Sequence, residues 1–175
     1  MAIHYDPTRQ KEELYAMTGY WVQQPEVFEI EIDPSDLNYG KVIRGPISID
    51  PPASDGSDGF TVLPNGDFLI NEGEASPVYD EYDGTTGARI YIAPDGPLVD
   101  LGSLFGLNWA TGVALAPDGQ SLYFHAGIRQ HSWETGQNPS FIQTDLTGHL
   151  IRAEPFVNPN SLNGGAIEDI SFVIP

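Results

Sequence analysis

Apolar and polar residues alternate in short runs along this chain, and turn residues interrupt them at regular intervals. Three segments share one pattern: Glu13-Leu14-Tyr15-Ala16-Met17-Thr18-Gly19, Asp67-Phe68-Leu69-Ile70-Asn71-Glu72-Gly73 and Ser121-Leu122-Tyr123-Phe124-His125-Ala126-Gly127. Their glycines fall at 19, 73 and 127, two equal steps of 54 residues. A period of this size is the signature of a repeated supersecondary unit. Each segment follows a short apolar run that ends in a proline turn: Ile3 to Pro7, Phe60 to Pro64-Asn65-Gly66, and Val113 to Pro117-Asp118-Gly119. Pro-Asn-Gly and Pro-Asp-Gly set the backbone angles of a tight turn between strands. Each segment also precedes a run ending in aspartate, a glycine turn and a further run: Val27 to Asp33 then Gly40 to Arg44, Val78 to Asp83 then Gly87 to Ile90, and Phe141 to Asp145 then Gly148 to Arg152.

Every repeat therefore predicts four short strands in an antiparallel meander. The expected fold is all-β and β-propeller-like, with three four-stranded antiparallel blades in a single domain over 1–175. Blade 1 covers about 2–49, blade 2 about 57–104 and blade 3 about 109–157. Over 167–175 the run Glu168-Asp169-Ile170-Ser171-Phe172-Val173-Ile174-Pro175 matches a first strand, with Pro175 in the place of Pro117. The chain thus reads as a half-propeller with one extra strand.

Gly112 to Tyr123 and Phe141 to Ile151, followed by the matching stretches of the second repeat, resemble the blades of six-bladed propellers of the NHL and gluconolactonase-like type. The resemblance implies a ring, and propellers close with about four to eight blades. Three blades leave two explanations open: two chains combine into one ring as a homodimer, or the chain is a fragment of a longer protein. A β-repeat of another kind, such as a prism, needs a shorter period.

Up-and-down connectivity sorts the loops. Turns between strands 1 and 2, and between 3 and 4, lie on one face, where generic turn chemistry is expected. The strand 2–3 loops and the blade links lie on the other, and all three tryptophans fall there: Trp21, Trp109 and Trp133. Tyr20 and His131 join them. Loops on a rigid scaffold concentrate binding residues, and tryptophan suits stacking on sugars or docking a protein. Tyr20, Trp21, Trp109, His131 and Trp133 are the candidate ligand-binding residues, with capping of each blade's core as the alternative role for the tryptophans.

Composition narrows the partners. The chain has 7 basic and 25 acidic residues, a net charge of −18 and no cysteine. Phosphate binding needs clustered Lys and Arg, so nucleic acid is not an expected partner. No cysteine means no disulfide, thiolate nucleophile or Cys-type zinc site. No apolar run is long enough for a spanning helix, and Met1-Ala2-Ile3-His4 carries no leader pattern. An extracellular, periplasmic or surface location is the expectation.

Excess carboxylate suits divalent cations, Ca²⁺ above all. Asp55-Gly56-Ser57-Asp58-Gly59 and Asp33 to Gly40 have oxygen ligands and flexible glycine, and both also read as plain turns. The resemblance to gluconolactonase-like propellers implies a divalent metal at the channel mouth. By position in the blade, Asp58, Asp169 and Asn71 would hold it. His125 takes the repeat position of Met17 and Asn71, which points to a structural role. No nucleophile elbow, P-loop, dinucleotide or zincin motif occurs, so no catalytic residue and no nucleotide or organic cofactor is expected. The leading expectation is a non-enzymatic binding or structural module, a homodimer taking carbohydrate or protein on its tryptophan-bearing loops. A metal-dependent lactonase- or phosphotriesterase-like hydrolase is the alternative.

Overall fold

In a computed structural model, residues 1–6, 9–18, 24–50, 59–72, 76–90, 97–106, 109–128 and 137–155 are described. Among the described residues the protein is all-β apart from one short helix, and the strands form three antiparallel sheets. Sheet 1 runs in the order β1 (Ala2–Asp6), β2 (Lys11–Met17), β3 (Glu26–Ile30), β4 (Val42–Ser48). Sheet 3 repeats this order with β10 (Trp109–Leu115), β11 (Ser121–Ile128), β12 (Gln137–Asp145) and β13 (Leu150–Pro155).

Sheet 2 departs from the four-stranded expectation. It has five strands: β5 (Phe60–Val62), β6 (Phe68–Asn71), β7 (Val78–Tyr82), β8 (Arg89–Ile90) and β9 (Val99–Asp100). β8 pairs with Glu81 and Tyr82, and β9 pairs with Val78 and Tyr79, so the fourth lane is split between two short strands along β7. Asp100 then caps α1 (Leu101–Phe105), accepting from the Ser103 amide, and Gly106 ends the helix in the left-handed region. The extra strand expected over 167–175 lies outside the described residues.

The turns use the chemistry the sequence supplies. Gly66 and Gly119 take positive φ after Asn65 and Asp118, and their amides donate to Leu63 and Ala116. Between the third and fourth strands, Asp33, Asp83 and Asp145 each accept from backbone amides two to four residues on, and Gly40, Gly87 and Gly148 carry the positive φ. In the Asp33 to Gly40 loop, the Asp33 carboxylate takes the amide and hydroxyl of Ser35, so it is a turn cap.

Two cores hold the sheets together. The first joins Tyr15, Val27 and Ile47 of sheet 1, with Ile49 just beyond it, to Phe60, Val62, Phe68, Ile70 and Tyr82 of sheet 2. The second joins Leu69, Tyr79 and Val99 of sheet 2, with Leu63 and Leu98 beside its strands, to Val113, Leu122, Phe124, Ala126 and Ile142 of sheet 3. Phe68 and Ile70 serve one core and Leu69 the other, because alternate residues of a strand point to opposite faces. Sheet 2 is thus buried on both sides. Each sheet has a leading face, turned toward the next sheet in sequence, and a trailing face, turned toward the previous one. The 54-residue step preserves this orientation: Tyr15, Leu69 and Tyr123 lie on leading faces, and Leu14, Phe68 and Leu122 on trailing faces.

The first strands of the three sheets are neighbours, β1 beside β5 and β5 beside β10. The Leu115 amide donates to Oγ1 of Thr61 at 3.3 Å, a direct contact between the first strands of sheets 2 and 3. The backbone link from sheet 1 to sheet 2 is made by Asp50, whose amide donates to the Gly87 carbonyl and whose carbonyl accepts from the Arg89 amide, each at 2.9 Å.

Candidate functional site

The connections β2–β3 and β11–β12 leave the same end of their sheets, since both meanders run in the same order from neighbouring first strands. Tyr20 and Trp21 fall in the first connection, and His131 and Trp133 in the second; all four lie outside the described residues. Trp109 differs from the sequence expectation. It is not in a link but opens β10, its backbone paired with Gly127. An irregularity between Ala110 and Gly112 lets the strand continue two residues past the regular ladder.

Of the three candidate metal residues, Asp58 and Asp169 lie outside the described residues. Asn71 is buried at the end of β6. Its side-chain oxygen accepts from the Gly59 amide at 2.9 Å, and its own amide donates to the Gly59 carbonyl at 3.1 Å. The side chain therefore clamps the start of β5 to β6. Among the described residues no group of three or more His, Asp or Glu side chains stands ready to hold a metal ion. His125, at the equivalent position of sheet 3, is buried with its ring 5.9 Å from that of Phe141.

Two buried polar groups were not singled out by the sequence. On the leading face of sheet 1, Glu13, Glu29 and Glu31 are all buried. Arg9 reaches Glu13 at 2.6 Å and Glu29 at 3.2 Å, Arg44 stands 3.6 Å from Glu29, and Lys11 stands 3.0 Å from Glu31. The Tyr15 hydroxyl donates to Glu13 at 2.9 Å. Arg44 also donates to the Gly84 carbonyl, which bridges sheet 1 to sheet 2. A buried carboxylate is retained only when paired, and these are paired.

The second group sits on the trailing face of sheet 2. Arg89 contacts Asp80 at 2.5 Å and Glu72 at 2.8 Å. Burial, then the shared hydrogen bond with Glu72, pushes the Asp80 carboxyl up to about 6, against the pull of Arg89. The sign follows from linkage: a carboxyl that holds its proton more tightly when folded favours folding below its ordinary value of 3.8, and this contribution is lost as pH rises through 6. Thermal melts of the parent and Asp80→Asn are therefore expected to converge or cross with pH. The parent's melting temperature relative to the variant falls between pH 3.8 and pH 6 and levels off above. A difference independent of pH would contradict this.

No described helix is long and apolar enough to cross a membrane. No family model matches the chain, and no curated protein matches it. Among solved structures it is similar to a protein of unknown function from Bacteroides caccae, with a TM-score of 0.46 and 10% identity over 81% of this chain and 40% of that one. It is also similar to a eukaryotic initiation factor, with a TM-score of 0.45 and 16% identity over 89% of this chain and 31% of that one. The chain spans less than half the length of each.

Proposed function

We propose that the three sheets are blades of a propeller resembling the NHL and gluconolactonase-like type, that a second copy supplies the other half, and that the ring is a non-enzymatic binding or structural module. It takes carbohydrate or protein on the end that carries the tryptophan-bearing connections. The observation that carries this reading is the shared direction of the meanders. First strands lie side by side and in contact, so the β2–β3 and β11–β12 connections, with Trp21 and Trp133, leave one end together. The start of β10, with Trp109, stands at that end too, because β10 runs antiparallel to β11 and Trp109 pairs with Gly127. The buried carboxylates support a non-catalytic role, since Arg9, Arg44, Lys11 and Arg89 hold them in ion pairs.

The test is a glycan array and a protein-capture screen, followed by calorimetry on the hit with and without calcium. Trp21→Ala, Trp109→Ala and Trp133→Ala are each expected to weaken binding about tenfold or more, the effect of removing an aromatic anchor. Affinity unchanged in all three variants would contradict the reading. So would turnover of a lactone or ester that depends on added metal, which would favour the hydrolase.

A further inference from the structure

Among the described residues, sheet 1 and sheet 3 end the stack with faces that continue its own packing pattern. Across the trailing face of sheet 1, the register places Ile3, Leu14, Ile30 and Val42 in one row. The equivalent row of sheet 2 begins Val62, Phe68, Tyr82, and that of sheet 3 begins Leu115, Leu122. Phe68 and Leu122 are fully buried under the preceding sheet, whereas Ile3 is 64% and Val42 54% exposed. Four apolar side chains in a row on an open sheet face are a surface built to be covered.

The chain itself shows what covers such a row. The leading face of sheet 1 carries Ala2, Tyr15, Glu29 and Arg44 in register, and this row is packed against sheet 2. The leading face of sheet 3 carries Ala114, Tyr123, Gln143 and Arg152 in the same register. The two rows match position by position, with Gln in place of Glu. In the packed joint, the Tyr15 ring lies 5.8 Å from that of Phe68, whose repeat equivalent in sheet 1 is Leu14. Arg44 reaches over to the Gly84 turn, whose equivalent in sheet 1 is the loop that holds Asp33 and Asp36. Arg152, exposed on sheet 3 and paired there with Glu154 at 2.8 Å, has a further acidic counterpart in the equivalent loop of sheet 1.

We infer that the trailing face of sheet 1 is the docking site for the leading face of sheet 3 of a second copy, with Tyr123 of one protomer over Leu14 of the other and Arg152 against the Asp33 to Gly40 loop. The joint is head-to-tail, so a two-fold pair contains it twice and leaves neither face open. This rests on the dimer of the proposed function and specifies its surfaces.

Mass measured by light scattering tests it, with circular dichroism confirming the fold of each variant. The parent is expected at twice the mass of one chain. Leu14→Lys and Tyr123→Glu, and the milder pair Ile3→Lys and Arg152→Glu, are each expected to be monomeric. An equimolar mixture of the two members of a pair is expected to return to the dimer, because one joint is then unaltered; with Leu14→Lys and Tyr123→Glu the other joint also pairs a lysine with a glutamate. Folded variants that remain dimers would overturn the inference while leaving the dimer standing. Sheet 1 variants that are monomeric beside sheet 3 variants that stay dimeric would point to sheet 1 meeting sheet 1, and would overturn it, as would monomeric variants that mixing does not rescue. A monomeric parent would remove both readings. If that monomer exposes sheet 1 to a hydrophobic dye only after truncation at Pro155, the chain's own 156–175 is the cover.

Discussion

Phe68→Ala is expected to lower the unfolding free energy by about 4 kcal/mol, the usual range for deleting a buried phenylalanine ring. Phe68 is fully buried at the joint of sheets 1 and 2, with Tyr15 and Phe60 rings each 5.8 Å from its own. Removing the ring takes away apolar burial and leaves a cavity between two sheets that cannot slide together, because the Asp50 hydrogen bonds fix their separation. Domains of this kind are stable by only about 5–15 kcal/mol, so the loss is a large share of the total. Denaturant titration reads it directly. A change below about 1 kcal/mol would mean that sheets 1 and 2 do not share a core.

The second large effect is expected at Gly87. Its φ is +73°, and an added Cβ would run into the Ser48 carbonyl oxygen of sheet 1. The glycine also sits where the Gly87 carbonyl accepts from Asp50 at 2.9 Å, so any shift that relieves the collision pulls on the link between the sheets. Gly87→Ala is expected to destabilise by about 3 kcal/mol, combining backbone strain with a broken junction. Gly40 provides the control: its φ is also +73°, and nothing lies within 4 Å of its would-be Cβ. Gly40→Ala then carries the conformational penalty alone, about 1 kcal/mol. Equal effects at the two glycines would show that the inter-sheet approach at Gly87 is not close.

Much of the fold is legible in the sequence, and the reasons are local. Pro64-Asn65-Gly66, Pro117-Asp118-Gly119 and the aspartate-to-glycine turns fix backbone angles by themselves, so the strand order could be read from punctuation. What was not legible depends on packing. A strand with a polar and an apolar alternate reads as half-exposed, yet sheet 1 buries its polar alternate, Glu13 and Glu29, against sheet 2. Arg9 and Arg44 make this possible, and one of them approaches from a turn and the other from the edge strand, at spacings no local pattern announces. The split fourth lane of sheet 2 was missed because β8 and β9 are two residues each, too short to show a period. Trp109 was read as part of a link for a related reason, since β10 extends past an irregularity that only pairing with β11 defines.

The same distinction applies to the candidate binding residues. Trp21 and Trp133 could be assigned to connections from chain order, while the part Asn71 plays, as a clamp on Gly59, required the register of β5 and β6. The repeat also gains a meaning it did not have as a pattern. It says which face of each sheet looks forward and which looks back.

Sedimentation equilibrium of the unmodified protein at micromolar concentration tests whether a second copy completes the stack of sheets. A folded species of twice the 19.1 kDa chain mass is expected, with the apolar row of sheet 1 closed by a second copy. A folded species of 19.1 kDa at all concentrations would contradict it.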